Sequence, residues 1–256
     1  ERLSNHALQI QSREQFVREL TENLPPRPAY FAQDAAINRA GAPALSELQP
    51  IVALSLAEVK LAEANGAVIV DVRPAAEFAA GHVPGSINIG FGGQLASWAG
   101  IVLGLSAAVV IVAESEEQAA ETRTRLTRVG IENTVGYLRG GIGAWRAAGE
   151  KLQSIPQITA KELQARRSDF EVVDVRRESE WQGGHIEGAH WHALDNFPRA
   201  LPTFKPDAPI AVHCQGGYRS MIAASLLQRA GFSNVTDVAG GYDAWRAETQ
   251  TVAAKG

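Results

Sequence analysis

Cysteine is almost absent from this chain. Of 256 residues only Cys214 is a cysteine, and the one methionine is Met221. A single thiol excludes an internal disulfide framework, a dithiol redox pair and any zinc site built on several thiolates. Blocks of like charge are missing too: 24 basic and 28 acidic residues are interspersed and give a net charge of -4. That balance excludes a broad basic face and, with it, nucleic acid as the expected partner. The stretch from Val83 to Ala113 has no charged residue, but Pro84 and six glycines interrupt it. Its densest part, Trp98 to Ala113, is shorter than the roughly 20 apolar residues of a membrane span. It reads as a buried strand with its lead-in. No apolar signal core opens the chain, so the expectation is a soluble, cytoplasmic protein with no membrane partner. Because Glu1 is not an initiator methionine, the chain is expected to continue upstream of it.

What is present is an internal duplication. Val68-Ile-Val-Asp71-Val-Arg73 recurs as Glu171-Val-Val-Asp174-Val-Arg176, and Gly81-His82 recurs as Gly184-His185. Leu138-Arg-Gly140-Gly141-Ile-Gly-Ala-Trp145 recurs as Val238-Ala-Gly240-Gly241-Tyr-Asp-Ala-Trp245. A spacing of about a hundred residues fits a duplicated domain rather than a solenoid unit. Short apolar runs alternate with helical stretches in each copy. Strands are expected at Ala67–Val72, Ala107–Ala113 and Asn133–Leu138 in the first copy. In the second they fall at Phe170–Val175, Ala189–Ala193, Pro209–His213 and Asn234–Val238, with helices at Ala160–Arg166 and Arg219–Ala230. That alternation predicts α/β units, each a parallel sheet with helices on both faces, joined by a linker at Leu152–Gln157. The expected division is 1–50, 51–150 and 151–256. In the first segment, Ser12-Arg-Glu-Gln15 resembles a capping box, Phe16, Val17 and Leu20 give the helix an apolar side, and Pro25-Pro26 ends it. Tyr30, Phe31 and Ile37 add apolar residues without a core of their own, so this helical tail is expected to lean on the repeats.

Chemistry concentrates in His213-Cys214-Gln215-Gly216-Gly217-Tyr218-Arg219-Ser220, between an apolar strand and a helix. Ligands of open parallel sheets bind at the carboxyl ends of strands. A loop entering a helix N-terminus gathers backbone N–H groups that favour anions, and Gly216 and Gly217 let it curl. Arg219 adds a planar cation. All of these favour a thiolate at Cys214, making it a nucleophile. An isolated cysteine is more commonly an inert buried residue; the order strand, Cys, Gly pair, Arg, helix favours the reactive reading.

These motifs resemble the rhodanese (thiosulfate sulfurtransferase) family over about residues 52–250, and imply two tandem rhodanese-like domains. The resemblance implies that Cys214 accepts a sulfane sulfur as a persulfide and passes it to a nucleophile, with Arg219 binding the sulfonate end of thiosulfate. Gln215, Gly216, Gly217, Tyr218 and Ser220 are then candidate substrate-binding positions. Thiosulfate, sulfite and glutathione persulfide are the implied small-molecule donors and acceptors. Dual-specificity cysteine phosphatases use a similar architecture with one more residue between Cys and Arg; the four here, Gln215 to Tyr218, favour sulfur. In the first copy Ala113 stands opposite Cys214, followed by Glu114, Ser115, Glu116, Glu117 and Gln118, so no persulfide can form there. The copy then serves as scaffold, docking surface or regulator.

Other candidates carry less. His185, His190 and His192 cluster in sequence, but His82 repeats the first of them and the spacing fails a zinc-hydrolase pattern, so no metal site is expected. Asp71-Val-Arg73 and Asp174-Val-Arg176 occur in both copies and read as fold-holding charge pairs. Trp181 and Trp191 read as rim or core packing. Glu1-Arg-Leu-Ser-Asn5, Phe16-Val-Arg-Glu-Leu20 and Pro26-Arg-Pro-Ala-Tyr-Phe31 are similar to the end of the metallo-β-lactamase-fold domain of persulfide dioxygenase–rhodanese fusions. This implies an upstream domain carrying non-haem iron, while the present chain, without iron-ligand motifs, has no cofactor and no dioxygenase activity. In that setting it could act mainly as a sulfur relay or docking module.

Overall fold

The computed structural model describes residues 6–21, 31–41, 49–92 and 94–253. Its first part is helical. After a 3-10 turn at His6–Gln9, helix α1 spans Arg13–Thr21 and α2 spans Phe31–Ala40. The Ser12 hydroxyl accepts from the Gln15 N–H at 3.1 Å, the serine half of a capping box. The expected apolar side of α1 exists but is not covered: Phe16, Val17 and Leu20 are 40, 50 and 44 % exposed, so the tail buries no residue of α1. Pro25-Pro26 and Tyr30 lie outside the described residues.

The first repeat runs β1 (Ala53–Leu54), α3 (Leu56–Ala64), β2 (Val68–Asp71), α4 (Ala75–Ala80), β3 (Ile87–Asn88), α5 (Leu95–Leu103), β4 (Val109–Val112), α6 (Glu116–Thr127), β5 (Thr134–Leu138) and α7 (Gly141–Ala147). The second runs β6 (Gln157–Ile158), α8 (Ala160–Ala165), β7 (Glu171–Asp174), α9 (Glu178–Gln182), β8 (His190–Trp191), β9 (Ile210–His213), α10 (Tyr218–Arg229), β10 (Val235–Val238) and α11 (Gly241–Ala253). The sheets are ordered β1-β5-β4-β2-β3 and β6-β10-β9-β7-β8, and the strand pairs are parallel. Two departures from the expectation stand out. The charge-free run before β4 is not strand lead-in but helix α5, which buries Leu95, Trp98, Ala99 and Gly100. The linker also supplies strand β6 at its end and, at Gln153, pairs back onto His82.

Period-two alternation of strand side chains explains why both sheet faces are dry. In β4, Val109 and Ile111 face one cluster while Val110 and Val112 face another with Leu54, Val59 and Trp145. In β9, Ile210 and Val212 share the cluster of Val109 and Ile111, while Ala211 packs with Leu163 and Val238. One hydrophobic core thus runs through both repeats. Helix α10 stands at that junction. The Tyr218 hydroxyl donates to the Gly90 carbonyl at 2.9 Å, and Ser225 Oγ accepts from the Asn88 N–H at 3.2 Å. Gln228 meets His82 at 2.8 Å and donates to the Ser154 carbonyl at 3.1 Å. These positions are spaced by seven and three residues, so one stripe of the helix faces the first repeat. No described helix is long and apolar enough to cross a membrane.

Candidate active site

Cys214 directly follows β9, at the carboxyl end of its sheet, and is buried. The next three residues turn the chain, with Gly217 at φ 104° before α10 begins. This left-handed turn aims the Gly217 N–H at the cysteine sulfur, 3.1 Å away, and the Ser220 hydroxyl lies 3.6 Å from it. The loop is fixed from behind by the first turn of α11. The Tyr242 and Asp243 N–H groups donate to the carbonyls of Cys214 and Gln215 at 2.8 and 3.0 Å. Gly241, at φ 56°, permits this approach: a Cβ there would lie 2.7 Å from the Gln215 oxygen and nearer still to that of Cys214.

The Asp-Val-Arg element braces the same loop. Arg176 donates to Asp174 at 2.7 Å, with both side chains buried, and to the Gly184 carbonyl at 2.8 Å. Its remaining terminal nitrogen reaches Gln215 Oε1 at 3.1 Å, and its guanidinium lies over the Tyr242 ring. Gln215 Nε2 donates to Asp243 at 2.5 Å. The Gln215 side chain is therefore spent on the frame, not on the cavity. In the first repeat, Arg73 makes the matching bonds to Asp71 and the Gly81 carbonyl, at 2.6 and 2.9 Å. Burial lowers the affinity of His213 for a proton, against the opposing charge of Asp174.

Above the sulfur lies a cavity of about 560 Å³. Gly216, Tyr218 and Arg219 of the loop and helix line it beside Cys214. Arg177, Ser179 and Glu180, from the segment after β7, form a second wall. Gln94, which precedes α5, and Trp98 on it form the third, from the repeat that lacks the cysteine. Trp181 and Trp191 are elsewhere: the first stacks on His185, the second donates to the Arg176 carbonyl at 2.9 Å. His190 meets Glu171 and His192 meets the Ala200 carbonyl, at 2.9 and 2.8 Å, so the three histidines hold separate partners.

Arg219 is paired with Glu180 through both terminal nitrogens, at 2.6 Å each. Burial pushes the Glu180 carboxyl up, but the bonds from Arg219 and from the Arg177 N–H outweigh it and keep it below the usual carboxylate range. Burial opposes the charge on Arg219, and Glu180 and Cys214 more than offset it. Burial also pushes the Tyr218 phenol far above its ordinary value, so it stays a neutral donor to Gly90. Arg177, Glu180 and Trp98 are among the residues that sequence reasoning missed. Glu180 has a counterpart, Glu77, at the same distance past the first Asp-Val-Arg, a signal that was available. Trp98 had none, because its place at the site depends on how the repeats pack.

The first repeat shapes the equivalent loop differently. Helix α6 begins after three residues from β4 rather than four, and Ser115 caps it by accepting from the Gln118 N–H at 3.2 Å. Gln118 Oε1 accepts from the Glu114 N–H at 2.8 Å. Two amides of this loop, those of Glu114 and Gln118, are thus satisfied by side chains.

A family model for the rhodanese-like domain matches residues 55–148 and again 159–248. The thiosulfate sulfurtransferase GlpE of Pseudomonas putida is 36 % identical over 109 residues, 41 % of this chain and 96 % of that protein. Protein YqhL of Bacillus subtilis, described as uncharacterized, is 31 % identical over 88 residues, 34 % of this chain and 70 % of that one. Among solved structures, the rhodanese-like domain of the Anabaena protein Alr3790 is 34 % identical, covering 36 % of this chain and 74 % of its own, with a TM-score of 0.34. Thiosulfate sulfurtransferase from Pseudomonas aeruginosa is 21 % identical, covering 78 % of this chain and 43 % of its own, with a TM-score of 0.36. Since the two family matches together span well over half of its length, the chain belongs to the rhodanese-like family and carries that domain twice.

Proposed function

We propose that this chain is a sulfurtransferase that moves sulfane sulfur from thiosulfate or a thiol persulfide to a nucleophilic acceptor through a persulfide on Cys214. The observation that carries the reading is the Gly217 N–H directed at the Cys214 sulfur beneath the N-terminus of α10. Oriented amides and a helix dipole stabilise negative sulfur, both as attacking thiolate and as the anionic persulfide. The activity for which the Pseudomonas putida relative is named, thiosulfate sulfurtransferase, supports the same class. In the first step the Cys214 sulfur attacks the outer sulfur of the donor. A new S–S bond forms as the donor's breaks, and the bonding pair leaves as sulfite or as a thiolate. In the second step an acceptor nucleophile attacks the outer sulfur of the enzyme persulfide, and the pair returns to Cys214. The sulfur atoms carry every bond change, so no cofactor is invoked. Mass spectrometry after donor treatment should find one added sulfur on the wild-type chain and none on Cys214→Ser. No addition, or addition that survives the substitution, would refute the reading.

A second reading makes the chain mainly a relay or docking module for a metallo-β-lactamase-like domain. The uncovered apolar side chains of α1 favour it. It predicts sulfur uptake without turnover to cyanide, sulfite or thiols in a steady-state assay.

A further inference from the structure

Three charged side chains line the space above Cys214, and two are committed to each other. Arg219 grips Glu180 with both terminal nitrogens at 2.6 Å. Glu180 also accepts from the Arg177 N–H at 2.9 Å. The two-point edge with which an arginine holds a carboxylate or sulfonate is thus already occupied at Arg219. An incoming anion that took this edge would strand a partly buried carboxylate. Glu77 stands at the matching place in the inactive repeat, so a glutamate there is not particular to the repeat with the cysteine.

Arg177 differs in each respect. It is exposed, it lines the same cavity, and its guanidinium has no ion pair among the described residues. Its counterpart in the first repeat is Pro74, so this cation accompanies the nucleophile alone. The cavity of about 560 Å³ falls within the roughly 300–1,000 Å³ of pockets that hold organic ligands of drug size. An inorganic anion fills little of it, so the space suits a donor with a carbon skeleton between its sulfur and its charge.

We propose that Arg177 determines donor specificity by binding a carboxylate at the far end of an organic persulfide, whose skeleton occupies the cavity above Cys214, while the Arg219–Glu180 pair stays closed. The assignment rests on the sulfurtransferase reading of Cys214. The test uses two donors, the persulfide of 3-mercaptopropionate and that of its uncharged amide, with the full chain and the variants Arg177→Gln and Arg177→Lys. Arg177→Gln should raise KM for the carboxylate donor roughly tenfold, the loss of one charge-assisted contact. KM for the amide donor should rise far less, so that the KM ratio between the two donors shifts, and Arg177→Lys should restore much of the loss. An unchanged KM ratio between the two donors in Arg177→Gln would overturn the assignment, as would an equal loss with both donors. If the wild-type chain takes sulfur from neither donor and mass spectrometry finds no Cys214 persulfide, the sulfurtransferase reading fails and takes this assignment with it.

Discussion

Replacing Gly241 with alanine tests whether the loop around Cys214 is shaped by backbone contact with α11. Gly241 has φ 56°, where a side chain costs about 1–2 kcal/mol. The added Cβ would lie 2.7 Å from the Gln215 carbonyl oxygen, against 3.4 Å or more in ordinary contact, and nearer still to the Cys214 oxygen. Both carbonyls accept N–H groups of the same helix turn, from Tyr242 and Asp243. If both bonds are lost as the loop retreats, each forfeits about 0.5–1.5 kcal/mol. The total is about 2–5 kcal/mol, a large part of the roughly 5–15 kcal/mol by which a domain is stable. The first repeat provides the control. Gly141 has nearly the same φ, 55°, and a Cβ there meets only the Ala113 oxygen, also at 2.7 Å. Gly141→Ala should destabilise less and leave sulfur uptake intact, because no nucleophile stands on its loop. Urea denaturation with stopped-flow donor uptake measures both effects. If Gly241→Ala takes up sulfur at the wild-type rate, the loop's shape does not depend on this contact and the reasoning is wrong.

Two further outcomes are expected. Asp174→Asn should destabilise by about 3–5 kcal/mol, as removal of one partner from a buried ion pair does; a shift of the urea midpoint no larger than that of an exposed-site control would contradict the role given to Arg176. Burial depresses the proton affinities of His213 and His82 below the ordinary value of 6.5, and an unfolded histidine binds the proton that the folded one refuses. The resulting stability is present above pH 6.5 and is lost as pH falls through the window below it, by at most about 1.4 kcal/mol per pH unit for each histidine. Asp71 and Asp237, which burial pushes up, act with the opposite sign. The histidine contribution is therefore read as the difference in pH slope between wild type and His213→Gln, and equal slopes would refute it.

Much of this molecule was legible before its structure. Asp71-Val-Arg73 and Asp174-Val-Arg176 announced their strands and their fold-holding role because each pair is local, two residues apart. Cys214, Gly217 and Arg219 were legible because a strand, a turn and a helix N-terminus impose their own order. Helix α5 was not, since Leu95 to Leu103 is apolar on nearly every side and carries no periodic contrast. Strands β1 and β6 are two residues long, too short for alternation to register. The direction of Gln215 depended on Arg176 and Asp243, 39 and 28 positions away, and the third wall of the cavity depended on packing between repeats.

Helix α10 begins at the nucleophile's loop and continues as the seam between the repeats. Its inner side chains Met221 and Ile222 belong to a core that also contains Val70 and Ile87 of the first repeat. A duplicated chain can differ between copies in the loop after the fourth strand, since each loop is a local matter. It is not free to shed the copy without the cysteine, because the repeat that carries Cys214 rests on a surface that copy completes. The repeat without the cysteine is a foundation for the other.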